Sequence, residues 1–236
     1  MARRPRIAVP GMPMHITQRG HNRSVAFLDA HDFAQYRAFL LHASRRERCA
    51  VHAYALMSNH AHLLVTPSTS TGASRMMQLL GRLYVAHFNA RHHRRGTLWE
   101  GRFRSAVVET SSYFLACCRY IDLNPVRAGM VQAPDAYEWT SYAHLGHGEP
   151  DALLTPHAEY LALGSTPSLR RSAYRACCGV VNGQRASVTI RRATQRGDVL
   201  GRAEFQRILA RALERPAVLR LPCGAQVTNT TADPIA

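Results

Sequence analysis

Two apolar runs separated by two turn-forming residues constrain the fold of this chain more than any other feature. Residues 51–57 read as a strand, Ser58 and Asn59 favour a turn, and residues 60–66 read as a second strand that Pro67 ends. The pattern predicts a tight β-hairpin. Because a hairpin pairs its strands antiparallel, the domain around it should be built on an antiparallel sheet.

The segments around the hairpin alternate between strand and helix patterns. Periodicity and boundary residues predict strands over 14–19 and 103–109, and helices over 29–47, 72–93 and 111–123, the last opened by a serine cap and ended before Pro125. The resulting order β-α-β-β-α-β is typical of the ferredoxin-like, split βαβ arrangement. We therefore predict an α+β fold with an antiparallel sheet and helices on one face, plus a small helical C-terminal extension.

The charge is strongly positive and unevenly distributed. The net charge is +15, and all 30 basic residues are arginine. Residues 1–130 hold 18 arginines against 6 acids, residues 131–165 hold none against 5, and residues 166–236 hold 12 against 4. This pattern predicts a main domain over 1–130, an acidic connector over 131–165, a basic extension over 166–215 and a flexible tail over 216–236. A polyanion is the expected partner.

The basic extension shows three helical patterns, over 169–178, 186–196 and 203–214, with glycines between the last two. Two short basic helices around a glycine turn fit a helix-turn-helix reader of DNA, and they fit a plain helical appendage equally well. The N-terminus lacks the apolar stretch of a signal peptide, and no apolar run is long enough to cross a membrane. We expect a cytoplasmic protein with no membrane partner.

Two histidines in the second strand of the hairpin are candidate metal ligands. His60 and His62 are two residues apart, so a strand points both side chains to one face. Neutral imidazoles side by side are suitable ligands for a divalent cation. A half-buried pair that only hydrogen-bonds its neighbours fits the same spacing.

A tyrosine and an asparagine one helical turn apart form the second candidate pair. Tyr120 and Asn124 are at i and i+4, so their side chains are neighbours on one helix face. A tyrosyl oxygen can act as a nucleophile, and an amide oxygen can bind a hard cation. Helix rules alone also permit a buried aromatic with an asparagine cap ahead of Pro125. Tyr113 is a rival nucleophile on nearly the same helix face.

Four motifs in order resemble the single-tyrosine transposases that carry a His-hydrophobic-His (HUH) motif, and within them the branch associated with repetitive extragenic palindromes (REP). The motifs occupy residues 15–23, 56–64, 98–105 and 119–129. The resemblance implies that residues 1–130 form the catalytic domain, that His60 and His62 bind Mg²⁺ or Mn²⁺, and that Tyr120 is the nucleophile. Related insertion-sequence enzymes have Gln as third ligand, where this chain has Asn124.

The resemblance also implies that the substrate is single-stranded DNA beside a hairpin and that it is cut through a 5′-phosphotyrosine intermediate. We expect the protein to act as a monomer or homodimer associated with the nucleoid. Six arginines beside the motifs are expected to contact DNA phosphates: Arg19, Arg23, Arg102, Arg104, Arg119 and Arg127. Two alternatives stay open. One is a hairpin-DNA-binding regulator without catalysis, and the other is a phosphodiesterase that uses metal-activated water, for which Asp122 is the nearest acid.

Overall fold

A five-stranded sheet forms the centre of the molecule in the computed structural model, which describes residues 6–179 and 184–213. The strands are β1 (Met14–Arg19), β2 (Cys49–Met57), β3 (His60–Pro67), β4 (Arg104–Val108) and β5 (Val199–Leu200), arranged in the order β2-β3-β1-β4-β5. Neighbouring strands from β2 to β4 run antiparallel, and β5 is parallel to β4. The sheet is therefore mixed, one short parallel strand having been added to the predicted antiparallel core.

The predicted hairpin is confirmed. Strands β2 and β3 pair from Met57 with His60 outward, so Ser58 and Asn59 form a two-residue turn. Strand β1 pairs with the other side of β3, and Thr17 lies opposite His62. The pairing puts β1 and β3, the strands of two sequence motifs, side by side at the centre of the sheet.

Two long helices cover one face of the sheet. Helix α1 (Ala30–Arg46) begins after Asp29, whose side chain accepts a hydrogen bond from a backbone N–H of the first turn, and α2 (Gly72–Arg91) packs beside it. The rings of Tyr36 and Tyr84 meet edge to face at 4.9 Å between α1 and α2, and both are fully buried. Burial of large aromatic and aliphatic side chains makes this face an ordinary apolar core.

Helices also cover the second face, which corrects the prediction that they lie on one face only. Helix α3 (Thr110–Asp122) and the short α4 (Asn124–Arg127) lie there, and Phe114 and Cys117 of α3 are buried against the sheet. The physical reason is that β3 is apolar on both sides, with Leu63 and Leu64 both fully buried. The predicted α+β class itself is confirmed.

The predicted serine cap of α3 is wrong. Glu109 precedes the first helical residue, and its side chain makes no capping hydrogen bond. Its carboxylate instead accepts hydrogen bonds from the backbone N–H and the guanidinium of Arg202, at 2.6 and 2.9 Å. Glu109, the residue before α3, thus binds a C-terminal segment that is distant in the sequence.

The C-terminal segment contains the three predicted helices, α6 (Pro167–Gly179), α7 (Gln184–Arg196) and α8 (Ala203–Ala212), preceded by the short α5 (Ala158–Leu161). Between α7 and α8 the chain forms β5, because Val199 and Leu200 pair with β4, so the two helices flank a strand of the sheet. Glu214 and the predicted tail over 216–236 lie outside the described residues. No helix in the described ranges has the length and apolar character needed to cross a membrane.

The acidic connector packs along the free edge of β2. Leu56 N donates to Trp139 O at 2.9 Å, Ser141 N donates to Tyr54 O at 2.9 Å, and Thr155 N donates to Val51 O at 2.7 Å. A π-helical turn over 143–147 joins these contacts. The connector therefore satisfies backbone groups that an edge strand would otherwise leave exposed.

Candidate active site

The histidine pair and the tyrosine come together on the face of the sheet covered by α3. The ring centres of His60 and His62 are 5.0 Å apart, and those of His62 and Tyr120 are 5.7 Å apart. The period-two geometry of β3 brings the histidines side by side, and the packing of α3 on that face brings the tyrosine to them. The structure thus joins two motifs that are distant in sequence.

His60 is held with one ring nitrogen available. Its Nδ1 lies 2.6 Å from Asn59 Oδ1, while Asn59 Nδ2 donates to Arg23 O at 3.1 Å, which fixes the orientation of the amide. Because an amide oxygen only accepts, His60 Nδ1 carries the proton and Nε2 keeps its lone pair. Burial lowers the pKa of His60 to about 4, helped by the charges of Arg19 and Arg191, so the ring is neutral at physiological pH.

His62 contacts a third histidine that the sequence patterns did not single out. His15 Nε2 lies 3.0 Å from His62 Nδ1, and His15 Nδ1 lies 2.7 Å from Thr194 Oγ1 of α7. Burial lowers the pKa of His15 to about 3 and holds that of His62 well below its ordinary value. His15 was missed because the β1–β3 register, which brings it to His62, cannot be derived from local spacing.

Asn124 caps α3 and keeps one free acceptor. Its Nδ2 donates to Tyr120 O at 3.1 Å and to Ile121 O at 3.3 Å, so the capping role considered from the sequence is present. These bonds use the amide nitrogen and leave Oδ1 as the atom that could ligate a cation. Asn124 also lines the same cleft as the two histidines.

Tyr120 is surrounded by positive charge although it is mostly buried. Its side chain is 7% exposed, and the Arg127 guanidinium lies 4.3 Å from the ring centre while donating to the Tyr120 carbonyl. Burial raises the pKa of Tyr120, whereas the charges of Arg127, Arg191 and Arg19 act to lower it. The arginines favour the phenolate against the effect of burial.

These side chains line one open cleft with a volume of about 1200 Å³. All six arginines predicted to contact DNA line it, together with Arg191 of α7: Arg19, Arg23, Arg102, Arg104, Arg119, Arg127 and Arg191. Glu100 is the one carboxylate among the lining residues that the structure describes. A cleft with this excess of arginine attracts a phosphate backbone. Arg191 was missed because nothing local in the sequence indicates that α7 packs over the cleft.

The rival candidates lie away from the cleft. Neither Tyr113 nor Asp122 belongs to its lining. The Asp122 carboxylate instead accepts hydrogen bonds from the buried hydroxyls of Ser141 and Tyr174, and burial raises its pKa to about 7. The geometry therefore disfavours a hydrolase that uses Asp122 as a metal ligand.

A second group of possible ligands lies between α1 and α2, formed by His31, Asp32 and His87. Asp32 already accepts hydrogen bonds from Leu28 N at 2.8 Å and from the Arg91 guanidinium at 2.9 Å. It also lies in the first turn of α1, where the helix dipole is positive and disfavours a cation. We interpret this cluster as a set of side-chain contacts that hold α1 and α2 together.

Comparison with known proteins agrees with the geometry. The family described as Transposase IS200 like matches residues 8–124, a segment that contains His60, His62, Tyr120 and Asn124. No curated protein gives a significant match. Among solved structures, a REP-associated tyrosine transposase bound to a REP hairpin is 16% identical, with a TM-score of 0.54 over 66% of this chain and 93% of that chain.

A second solved structure, a putative transposase from Deinococcus radiodurans, is 17% identical and covers 48% of this chain and 88% of that chain, with a TM-score of 0.36. The first likeness shows the fold, while the family match includes the strand with both histidines and the helix with the tyrosine. The segment 8–124 therefore belongs to the IS200-like transposase family.

Proposed function

We propose that this chain cuts and rejoins single-stranded DNA beside a hairpin, with Tyr120 as the nucleophile. The observation that carries the proposal is the shared cleft, whose described lining contains Tyr120, His60, His62 and Asn124 together with seven arginines. A cleft built for phosphate and a tyrosine beside two neutral imidazoles are the parts that such a reaction needs. The REP-hairpin complex among the solved structures motivates the hairpin substrate.

The reaction is an exchange of phosphoesters. The Tyr120 oxygen attacks the scissile phosphorus, the bond from phosphorus to the 3′-oxygen breaks, and the DNA downstream stays on the enzyme as a 5′-phosphotyrosine. The phenol proton leaves to solvent, and the departing 3′-oxygen takes up a proton. Because the phosphoester is retained, a 3′-hydroxyl can reverse the attack and join strands without a nucleotide cofactor.

The donor set fits a divalent cation such as Mg²⁺ or Mn²⁺. His60 has a free Nε2 and Asn124 has a free Oδ1, both in the cleft that also contains His62. When bound, the cation would stabilise negative charge that develops on the phosphate oxygens. The chain itself supplies the arginines that hold the phosphates and the charges of Arg127 and Arg191 that favour ionised Tyr120.

We extend the proposal to the organisation of the chain. Residues 1–130 act as the catalytic part, 131–165 as the connector, and 166–215 as an extension that adds DNA contacts. The position of Arg191 among the residues that line the cleft supports the last assignment.

The polarity of the covalent adduct tests the proposed function. A single-stranded oligonucleotide with a hairpin is labelled at its 3′ end or its 5′ end and incubated with Mn²⁺. Only the 3′ label should remain on the protein, since the downstream strand is the one joined to tyrosine. Tyr120→Phe should abolish the adduct while it still shifts the hairpin on a gel.

Tyr113→Phe is the matched control, because it removes the same hydroxyl from the same helix outside the cleft. It should form the adduct as the unchanged chain does. An adduct that persists in Tyr120→Phe would refute the assignment. Hairpin binding with no adduct in the unchanged chain would favour the regulator without catalysis.

A further inference from the structure

A chain of hydrogen bonds connects helix α7 to the second histidine of the metal-binding pair. The Thr194 hydroxyl donates to Ile190 O at 3.0 Å, His15 Nδ1 lies 2.7 Å from Thr194 Oγ1, and His15 Nε2 lies 3.0 Å from His62 Nδ1. Thr194 is 1% exposed and His15 is fully buried, so these atoms depend on one another for partners. We call this series the α7 chain.

The direction of the α7 chain follows from which atoms can donate. With the single hydroxyl proton of Thr194 on the Ile190 carbonyl, which only accepts, the Thr194 oxygen accepts from His15. A neutral imidazole has one N–H, so His15 donates through Nδ1 and accepts through Nε2. His62 must then donate through Nδ1, which leaves the lone pair on its Nε2.

We infer that Thr194 and His15 are positioning residues that hold His62 in the tautomer able to bind a cation through Nε2. The inference rests on the proposed function, which supplies the role of His62 as a ligand. Partners of metal-binding histidines commonly fix the tautomer in this way, and their loss typically costs about 10- to 100-fold in metal affinity. Thr194 lies beyond residues 8–124, so the site depends on a segment outside the family match.

Removal of the Thr194 hydroxyl should reverse the direction in which hydrogen bonds are donated along the α7 chain. His15 Nδ1–H would then be buried without an acceptor, which favours the tautomer protonated at Nε2. That proton would face His62 Nδ1, so His62 would accept there and carry its own proton on Nε2. The ligand atom would be blocked while the shape of the residue at 194 is kept.

Thr194→Val tests this directly, since valine matches threonine in shape and lacks the hydroxyl. Two-bond ¹H–¹⁵N correlation spectra of the metal-free protein report the tautomer of His62, and the free Mn²⁺ signal in electron paramagnetic resonance reports affinity. We expect the proton of His62 to move from Nδ1 to Nε2 and the Mn²⁺ affinity to fall about 10- to 100-fold. Thr194→Ser should preserve both properties.

Thr189→Val is the matched control, because Thr189 is an exposed threonine of the same helix. A second pair of variants covers the case in which Thr194→Val does not fold. His15→Gln can accept from His62 and donate to Thr194, so it should keep Mn²⁺ affinity, whereas His15→Leu should lose it.

The outcomes separate the inference from the proposed function. An unchanged His62 tautomer and unchanged Mn²⁺ affinity in Thr194→Val would overturn the inference and leave the proposed function intact. Failure of the unchanged chain to bind Mn²⁺ through His60 and His62 would contradict both the ligand role and the inference. Equal losses in Thr194→Val and Thr194→Ser would also overturn it, because serine keeps the hydroxyl.

Discussion

The two faces of the central sheet are made by alternate residues of the same strands, yet they differ in chemistry. On β1 and β3, the face towards α1 and α2 carries Met14, Ile16, Ala61, Leu63 and Val65. Between these residues, the opposite face carries His15, Thr17, His60 and His62, which line the cleft. The period-two geometry of a strand thus allows adjacent residues to serve packing and chemistry separately.

The strongest test of this separation is His62→Ala. Loss of one histidine of the pair should remove most of the metal-dependent stabilisation of the phosphate, worth several kcal/mol, so cleavage should fall about 1000-fold. The rate of adduct formation measures the effect, and circular dichroism verifies that the chain still folds. A rate close to that of the unchanged chain would mean that this face of β3 does not carry the chemistry.

The neighbouring substitution Leu63→Ala should give the opposite result. Leu63 is fully buried in the apolar face, so the free energy of unfolding should fall by about 2–5 kcal/mol. Urea denaturation measures this loss. Adduct formation by the folded variant should stay close to that of the unchanged chain. A large loss of cleavage without a loss of stability would show that the two faces are not independent.

Acid should destabilise the chain through the face that carries the site. Three buried histidines, His15, His52 and His62, lie there together with the half-buried His60. Burial lowers the pKa of His15 to about 3, the pKa values of His52 and His60 to about 4, and the pKa of His62 well below its ordinary value. Below pH 6.5 the unfolded chain binds protons that the folded chain does not, so stability is lost as pH falls.

Asp122 acts in the opposite direction, because its pKa is raised to about 7 and the folded state gains a proton below that pH. The stability gained at Asp122 as the pH falls offsets the stability lost at about one of the histidines. The free energy of unfolding should therefore fall by at least about 2 kcal/mol between pH 7 and pH 5. Urea denaturation at each pH measures this change, and His52→Gln should reduce it. Constant or rising stability towards pH 5 would contradict the prediction.

The local parts of the fold were accessible from the sequence. The hairpin follows from Ser58 and Asn59 between two apolar runs, and α1 and α2 follow from their periodicity. The cap of α3 was mispredicted because Glu109 takes part in a contact with Arg202, which no local rule contains. The parallel strand β5 was missed because two residues are too short for a strand pattern.

The residues of the site also fall into a group that the sequence could pair and a group that it could not. Residues joined by local geometry, such as His60 with His62 and Tyr120 with Asn124, could be paired from their spacing alone. His15 and Arg191 could not, because their proximity depends on the strand register and on the packing of α7. A sequence signal existed only for His15, which alternates with apolar residues on β1.

The connector along β2 also affects how copies of this chain can meet. Its backbone bonds to Val51, Tyr54 and Leu56 occupy positions that another strand would use, and β5 at the other edge is only two residues long. A second sheet would first have to displace residues 137–155 to extend this one through β2. The same acidic segment thus hinders aggregation, because it covers the edge at which an apolar strand of another copy could pair with β2.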